Sequence, residues 1–120
     1  MSIREIARGD WKRYFDRLTR LHFGAIVNVN VSGVLVGCQN TIISQPLRGI
    51  STERDDVLID TGRRPLDHLG HRVPDVRAVR VQETDEGAVK ALDFDASDGT
   101  HTTVRFRSPI IPELLDPGVE

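Results

Sequence analysis

Two histidines in the stretch DHLGHR, His68 and His71, are the best candidates for chemistry in this sequence. Imidazole is a common zinc ligand, but a zinc site needs further protein ligands at a suitable spacing. On a strand the two rings would point to opposite faces, and Pro65 and Gly70 argue against a helix that would align them. No cysteine or third ligand stands at a recognisable spacing. We therefore predict two surface histidines, with no metal site and no other cofactor.

Three aspartates, Asp55, Asp56 and Asp60, could supply a carboxylate pair for acid–base catalysis. Two basic residues stand close by, Arg54 and Arg63, and this mixture of charges favours a solvated turn. The sequence contains neither a phosphate-binding glycine loop nor the GxSxG motif of a serine nucleophile. We therefore predict no catalytic residue and no enzymatic activity.

The longest readable pattern lies in residues 77–107, where apolar residues alternate with charged ones in three runs. Glycine-containing turns separate the runs, which predicts three consecutive antiparallel strands. The apolar residues set the register of the first hairpin, and that register also places opposite charges across from one another. The predicted facing pairs are Val81–Leu92, Val79–Phe94, Arg80–Asp93 and Glu83–Lys90.

The last hairpin can be closed by two different turns. A two-residue Asp-Gly turn is the stronger local signal, but it would place Leu92 and Val104 on opposite faces of the sheet. A three-residue loop, Ser97-Asp98-Gly99, keeps them together, and burying each such side chain is worth about 1.5–3 kcal/mol. We therefore predict the three-residue loop, with Gly99 at positive φ. The same register pairs Phe94 with Thr102 and Asp95 with His101.

An amphipathic helix is predicted near the N-terminus, with Asp10 as its N-cap and Gly24 just past its end. A stripe of this kind is typical of a helix that buries one face against a sheet. The apolar stripe consists of Trp11, Tyr14, Phe15, Leu18 and Leu21.

The remaining segments give shorter signals. Residues 2–9 predict an arm, residues 62–74 a loop or a short edge strand, and Pro112 the start of a single helical turn. Strands are predicted at residues 25–32, 39–47, 48–53 and 57–61, with a turn between the last two.

These elements predict one domain, residues 1–120, of the α+β class. Its N-terminal amphipathic helix packs on a curved antiparallel β-sheet of about six or seven strands, or on a small open barrel. A sheet that does not close leaves free edges, and pairing such edges across a two-fold axis is a common solution. We therefore expect a homodimer.

Composition places the chain among ordinary globular proteins, since the hydrophobic fraction is 38% and the charged fraction 28%. The only cysteine, Cys38, has no partner for a disulfide, and we interpret it as a small buried or loop residue in a reducing compartment. The N-terminus is charged where a signal peptide is apolar, and no apolar run reaches membrane-spanning length. These features predict a cytoplasmic protein without a membrane partner.

The opening SIREIARGDW and the closing TDEGAVKALDFDASDGTHTTVRFRSPIIPE resemble a family of short bacterial proteins that form a domain of unknown function. The resemblance covers nearly the whole chain and implies the same order of elements: an arm, a helix, strands, an acidic turn and an RFRSP-like ending. The motifs are structural, and the family has no assigned activity. The resemblance therefore transfers no functional residue.

Three functional hypotheses follow. The first is a non-enzymatic structural or protein-interaction domain with an unidentified protein partner, since no catalytic arrangement is visible. The second is a nucleic-acid-binding small β-barrel of the Sm-like or SH3-like kind, although a formal net charge of −2 gives no electrostatic support for nucleic acid. The third is an enzyme built around His68 and His71. The second requires convergence of these arginines on one patch: Arg13, Arg17, Arg20, Arg77, Arg80, Arg105 and Arg107.

Overall fold

The computed structural model describes residues 2–33, 37–64 and 67–108. Within these ranges one α-helix, α1 (Trp11–His22), lies on an antiparallel sheet of eight strands, and a 3-10 turn (Arg8–Asp10) precedes the helix. The strand order across the sheet is β1-β6-β7-β8-β2-β3-β4-β5, which places β1 and β5 at the two edges. The strands are β1 (Ser2–Ile6), β2 (Ile26–Gly33), β3 (Gly37–Glu53), β4 (Asp56–Thr61), β5 (Leu69–Val73), β6 (Val76–Glu83), β7 (Val89–Ala96) and β8 (His101–Phe106).

The sheet has eight strands rather than the six or seven predicted, and it is not closed into a barrel. The predicted arm is one of the additional strands, because Ser2 to Ile6 pair with Glu83 to Val79 of β6. The segment predicted as a loop or short edge strand contains β5, which pairs with β4. The predicted α+β class holds, with strands making up most of the described chain.

Two predicted strands, residues 39–47 and 48–53, are one continuous strand, β3. The sequence predicts that a strand ends at Pro46, because proline cannot donate a backbone hydrogen bond. The structure keeps Pro46 inside the strand, opposite Ile26, with a register shift on either side. At the first shift Ser44 has φ 53, and its N–H donates to Asn28 Oδ1 at 2.6 Å. The bulge therefore leaves this N–H satisfied, and the strand continues.

The predicted register of the β6–β7 hairpin is confirmed for three of its four pairs, Val81–Leu92, Val79–Phe94 and Arg80–Asp93. The fourth is wrong: a bulge after Gln82 places Glu83 opposite Val89 rather than Lys90. The carboxylate of Glu83 lies 3.3 Å from Arg4 Nε on β1 instead. The ion pair of Glu83 therefore joins β6 to its other neighbour, β1, and does not form across the β6–β7 hairpin.

The last hairpin has the predicted three-residue loop. Leu92 faces Val104 and Phe94 faces Thr102, and Gly99 has φ +90. The N–H of Ala96 donates to the carbonyl of Thr100 at 3.0 Å and closes the loop. Burial of the apolar pair therefore sets the register, as argued from the sequence.

The helix docks through the predicted apolar stripe, since Trp11, Phe15 and Leu18 are buried, Phe15 with 0% exposure. The ring centroid of Phe15 lies 5.9 Å from that of Phe94 on β7. Gly24 ends the helix at φ +89, as predicted. One detail differs, because His22 rather than Leu21 completes the buried stripe.

Close approach of α1 to β3 depends on Gly49. A Cβ atom there would lie 3.3 Å from the methyl group of Thr19 on α1. The hydroxyl of Thr19 accepts a hydrogen bond from the N–H of Ile50 at 3.0 Å. The glycine thus lets a helix side chain bond the strand backbone directly. The helical turn predicted at Pro112 lies outside the described residues.

Candidate functional site

A cavity of about 280 Å³ lies between α1 and the turn that joins β6 to β7. Its apolar wall is formed by Leu18 and Leu21 of the helix and Val89 of β7. Two polar side chains of α1, Tyr14 and His22, also line it. Concave, mainly apolar spaces with a few polar groups are the usual form of small-molecule sites, so this cavity is a candidate site.

His22 is the last residue of α1 and is only 3% exposed. Its Nδ1 lies 3.1 Å from the carbonyl oxygen of Leu18, which can only accept, so Nδ1 carries the proton. Burial lowers the pKa of His22, and the ring is neutral at pH 7. Nε2 is then a hydrogen-bond acceptor, buried and without a partner in the described part of the chain.

Tyr14 also lines the cavity. Its hydroxyl oxygen is buried and has no hydrogen-bond partner among the described residues. Burial raises the pKa of Tyr14 to about 12, so the phenol keeps its proton. An unsatisfied buried polar group costs about 1–3 kcal/mol. Tyr14 and His22 therefore each carry one such group close to the cavity, on an atom that solvent does not reach.

Charged side chains surround the cavity. Arg4 of β1 pairs with Glu83 of β6, and its guanidinium lies 5.8 Å from the ring centroid of Tyr14. Arg17 also lines the cavity and forms no hydrogen bond or ion pair within the described ranges. Two guanidinium groups against one carboxylate leave the cavity with a positive rim, which suits an anionic group.

The β6–β7 turn forms a fixed wall of the cavity. The N–H of Thr84 donates to the carbonyl of Ala88 at 2.8 Å, and the N–H of Ala88 donates to Thr84 Oγ1 at 3.1 Å. Gly87 lines the cavity at φ +88, a conformation that side chains rarely adopt. The turn therefore holds its shape through its own hydrogen bonds.

A larger groove of about 920 Å³ lies between β1 and the exposed side of α1 and shares Arg4, Tyr14 and Arg17 with the cavity. Two ion pairs lie along it, Lys12–Asp16 at 3.0 Å and Arg13–Asp10 at 2.5 Å. Basic residues outnumber acidic ones in its lining. The basic set is Arg4, Lys12, Arg13, Arg17 and Arg20, and the acidic set is Glu5, Asp10 and Asp16.

A polar network occupies the opposite face of the sheet. Phe94 contacts the helix side, so its neighbours Asp93 and Asp95 project from the other face. His101 lies between them, with Nδ1 2.5 Å from Asp95 and Nε2 3.3 Å from Asp93. Arg80 forms an ion pair with Asp95. Both ring nitrogens of His101 thus face carboxylates, and neither is available to a substrate.

The carboxylates of this network are well satisfied. Asp93, 8% exposed, accepts hydrogen bonds from Gln82 at 2.8 Å and Thr103 at 2.9 Å. Burial would raise the pKa of Asp95, but hydrogen bonds from Arg80 and His101 outweigh it and lower the pKa. The network links β6, β7 and β8 and is best explained as structural.

The two histidines singled out in the sequence are not joined by further ligands. His68 is exposed, and its Nδ1 lies 2.5 Å from Asp60 Oδ1. His71 lies in β5 opposite Ile59, and burial lowers its pKa. In residues 2–33, 37–64 and 67–108 no group of three or more histidines, cysteines or acidic residues is arranged to hold a metal. The absence of a metal and of a cofactor stays a prediction.

The aspartates at the β3–β4 turn balance arginines, as expected for a solvated turn. Asp55 forms an ion pair with Arg8, and Asp56 Oδ2 lies 2.5 Å from Arg72. The pKa of Asp56 is lowered, first by the hydrogen bond from the Asp75 N–H and then by Arg72. These contacts leave little scope for the carboxylate-pair interpretation.

Cys38 differs from its prediction as a buried or loop residue. It lies in β3 opposite Ser32, and it is exposed. The strand begins two residues earlier than the sequence pattern indicated, because Gly37 pairs with Gly33 and extends the hairpin. The side chain therefore points to solvent from a strand.

The arginines named for nucleic-acid binding do not converge. Arg13, Arg17 and Arg20 lie on α1, on one side of the sheet. Arg80 and Arg105 lie on the other, since Arg80 pairs with Asp95 and Arg105 stands opposite Ala91, two residues before Asp93. The remaining two are engaged separately, Arg77 with Asp75 and Arg107 with Ser44.

The cavity is hard to recognise in the sequence because its polar residues fall within other patterns. Tyr14 belongs to the predicted apolar stripe, and that stripe does not include His22. The available signal was the position of His22, four residues after Leu18 and on the same buried stripe. A titratable residue at a core position needs a partner or a ligand.

The chain is similar in sequence to an uncharacterized protein and matches the model of a family of unknown function. An uncharacterized protein of Aquifex aeolicus (strain VF5) is 26% identical over 113 residues, which covers 93% of this chain and 97% of that protein. No solved structure matches the chain. No helix in the described ranges has the length and apolarity to span a membrane. The model of the Family of unknown function (DUF5335) matches residues 2–113, so the protein belongs to that family.

Proposed function

We propose that this protein is a non-enzymatic protein-interaction domain that binds an extended, acidic segment of another polypeptide along β1. One observation carries the proposal: β1 is an edge strand beside a groove in which basic residues outnumber acidic ones. Four of its five residues are exposed. An incoming strand would therefore find, next to positive charge, an edge of β1 with which no described strand pairs.

The recognition would use two separate interactions. The backbone of the partner pairs with the free edge of β1, as in other cases of strand addition to a sheet. Acidic side chains of the partner then meet Arg17 and Arg20 of α1, for which no described residue supplies an ion pair. Backbone pairing gives affinity, and the arginines give selectivity for acidic segments.

The absence of enzymatic activity is supported by the state of the candidate groups. His101 has both ring nitrogens against carboxylates, and Asp56 is held by Arg72 and by the N–H of Asp75. A general base must be free to take a proton from a substrate, and these groups are engaged. The division of the arginines between two faces counts against the nucleic-acid alternative.

A direct test is fluorescence polarisation with a labelled heptapeptide of alternating valine and glutamate. We expect binding that a double variant, Arg17→Gln with Arg20→Gln, weakens about 5- to 10-fold, as for two exposed charge interactions. The matched control is Arg105→Gln, on the opposite face, which should bind as the unmodified protein does. A peptide with a central proline should bind poorly, because it cannot pair as a strand.

Two results would contradict this proposal. One is an unchanged polarisation signal with the acidic peptide at high micromolar concentrations. The other is salt-dependent binding of oligothymidine that the double variant abolishes, which would instead favour nucleic acid.

We also propose that the second edge strand, β5, mediates a homodimer. Leu69 on this strand is 50% exposed, and pairing with a second copy would cover it. Light scattering at tens of micromolar should give the dimer mass, and Leu69→Lys should give the monomer mass. Ile43→Lys is the matched control, since Ile43 is also exposed, at 61%, but lies in the interior strand β3. A monomer mass for the unmodified protein would exclude the dimer.

A further inference from the structure

We propose that the cavity between α1 and the β6–β7 turn is the docking site of this chain's own C-terminal segment, residues 109–116. The sequence of the segment is PIIPELLD, and it follows directly after the described residues. The inference goes beyond the peptide-binding function and does not rest on it, because it concerns another surface and another occupant. It is carried by the place where the described chain ends, by the apolar wall of the cavity and by charge complementarity.

The described chain ends beside the cavity. Phe106 is the last residue of β8, and its ring centroid lies 5.0 Å from that of His22, which lines the cavity. The antiparallel pairing of β8 with β7 sets Arg105 opposite Ala91, so the chain that follows comes level with Val89 on the cavity wall. The description ends two residues after Phe106. The C-terminal segment therefore starts at the cavity, and a few extended residues, at about 3.3–3.6 Å each, reach across it.

The cavity offers apolar surface that the described residues leave uncovered. Leu18, Leu21 and Val89 form its wall, Leu21 is only half-buried, and the cavity is open to solvent on one side. The first apolar side chains beyond the described residues are Ile110 and Ile111. If they dock against the wall, both surfaces are removed from water, which is the main favourable term in such a contact.

Charge complementarity orients the segment. Arg17 lines the cavity, forms no ion pair with any described residue and lies about one helical turn before Leu21. The segment has acidic residues at 113 and 116 and no basic residue. If Ile111 lies against Leu21 and the segment runs towards the start of α1, Glu113 comes to Arg17. A guanidinium group can then bind the carboxylate through two parallel hydrogen bonds.

The attachment of the segment favours it over a separate occupant. A segment tethered beside its binding site is present there at an effective concentration of about millimolar or above. A second copy of the chain, or another protein with a similar sequence, would have to reach a comparable concentration in solution to compete.

The first test is NMR of the full chain, labelled at the methyl groups of isoleucine, leucine and valine. We expect nuclear Overhauser cross-peaks that join the δ1 methyl groups of Ile110 and Ile111 to the methyl groups of the cavity wall, at Leu21 and Val89. Ile110→Val and Ile111→Val assign the peaks, because each substitution removes one δ1 methyl group. An equimolar mixture of labelled and unlabelled protein detects contacts between two copies and separates them from contacts within one chain.

The second test is the rate at which a glutamate-specific protease cuts after Glu113, since cutting requires the segment to leave the cavity. Leu21→Gln should raise this rate about 5- to 10-fold through lost apolar contact, and Arg17→Gln about 2- to 5-fold. Both substitutions leave the sequence around the cut unchanged. Arg20→Gln is the control, because Arg20 lines the groove but not the cavity, and the rate should not change. Far-ultraviolet circular dichroism confirms that each variant is folded.

Three outcomes would overturn the inference. The first is the absence of the methyl cross-peaks, which would leave the cavity to a separate partner. The second is cross-peaks that arise only between labelled and unlabelled copies, which would assign the cavity to the segment of a second copy. The third is a cutting rate that Leu21→Gln leaves unchanged in the folded protein, which would show that the segment does not lie against the cavity wall.

Discussion

The two polar clusters of this protein lie on opposite sides of one sheet and differ in whether their members have partners. On the outer face Asp93 and Asp95 are held by His101 and by residues of β6 and β8. On the helix side Tyr14 and His22 each leave one buried atom without a hydrogen bond within the described chain. The first cluster contributes to stability, and the second leaves two buried polar atoms unsatisfied at a cost in stability.

The comparison shows why composition is a poor guide to function here. Both clusters contain a histidine, and the outer one contains more charge, so a search for titratable residues would favour it. The polar atoms of the outer cluster already have hydrogen-bond partners, so we interpret that cluster as structural. The cluster with fewer titratable groups is the better candidate site because its hydrogen-bonding capacity is incomplete.

The largest effect is expected from Phe15→Ala, which disturbs the packing between the two clusters. Phe15 contacts Phe94, whose neighbours carry the outer carboxylates. Truncating a buried phenylalanine should lower the free energy of unfolding by about 3–5 kcal/mol. Urea denaturation measures the change, and a loss under about 1 kcal/mol would show that the helix face is not buried.

A smaller but clear loss is expected from Asp93→Ala in the saturated cluster. The substitution leaves Gln82 and Thr103, both half-buried, without their acceptor. We expect a decrease of about 2–3 kcal/mol in the free energy of unfolding, measured in the same way. Glu53→Ala, an exposed carboxylate at the end of β3, is the control and should change stability by less than about 0.5 kcal/mol. Equal effects of the two substitutions would contradict the structural role of the outer cluster.

As the pH decreases, the stability that depends on His22 should be lost at a higher pH than the stability that depends on Asp95. Burial lowers the pKa of His22 from 6.5 in the folded state, so the unfolded chain binds more protons below that pH. Stability should therefore fall as the pH decreases below about 6.5, with a similar contribution from His71. The lowered pKa of Asp95 gives stability that is fully present above about 3.8 and is lost at lower pH.

Unfolding free energies between pH 8 and pH 5 test this order, since His22→Leu should flatten the slope in that range. Asp95→Asn should reduce the loss of stability below about pH 4. A slope that His22→Leu does not alter would show that the imidazole is not held neutral by burial.

The smallest effect on stability is expected from Tyr14→Phe in the unsatisfied cluster. Because the hydroxyl of Tyr14 has no partner among the described residues, its removal should cost nothing and can add up to about 1 kcal/mol. The direction is opposite to that of Asp93→Ala, which makes the pair the sharpest test of the comparison. A loss above about 1 kcal/mol would mean that the hydroxyl is bonded in solution.

Features set by burial could be predicted from the sequence. The register of Leu92 against Val104 and the positive φ of Gly99 both follow from keeping apolar side chains on one face. Features that depend on contact with a further strand could not be predicted from the sequence. Glu83 pairs with Arg4 because β1 lies beside β6, and the hairpin sequence contains no sign of that neighbour.

The candidate cavity also depends on contact between separate elements and could not be predicted from the sequence. It exists only where the end of α1 meets the β6–β7 turn, and these segments are far apart in the sequence. His22 could have been noticed as a polar residue on a buried stripe, but its missing partner is visible only in three dimensions. The continuous β3 was missed because Pro46 usually ends a strand, and the side chain of Asn28 at the bulge is a tertiary compensation.

The pairing of β1 with β6 also sets the order in which the chain can fold during synthesis. Ser2 pairs with Glu83, so β1 gains its neighbour β6 only after about 80 further residues have been synthesised. Phe15 gains its ring contact with Phe94 later still, because Phe94 lies on β7, which follows β6 in the sequence. Throughout that interval the aromatic face of the helix lacks its partner on β7. The N-terminal segment is therefore where a nascent chain of this protein most needs protection from aggregation.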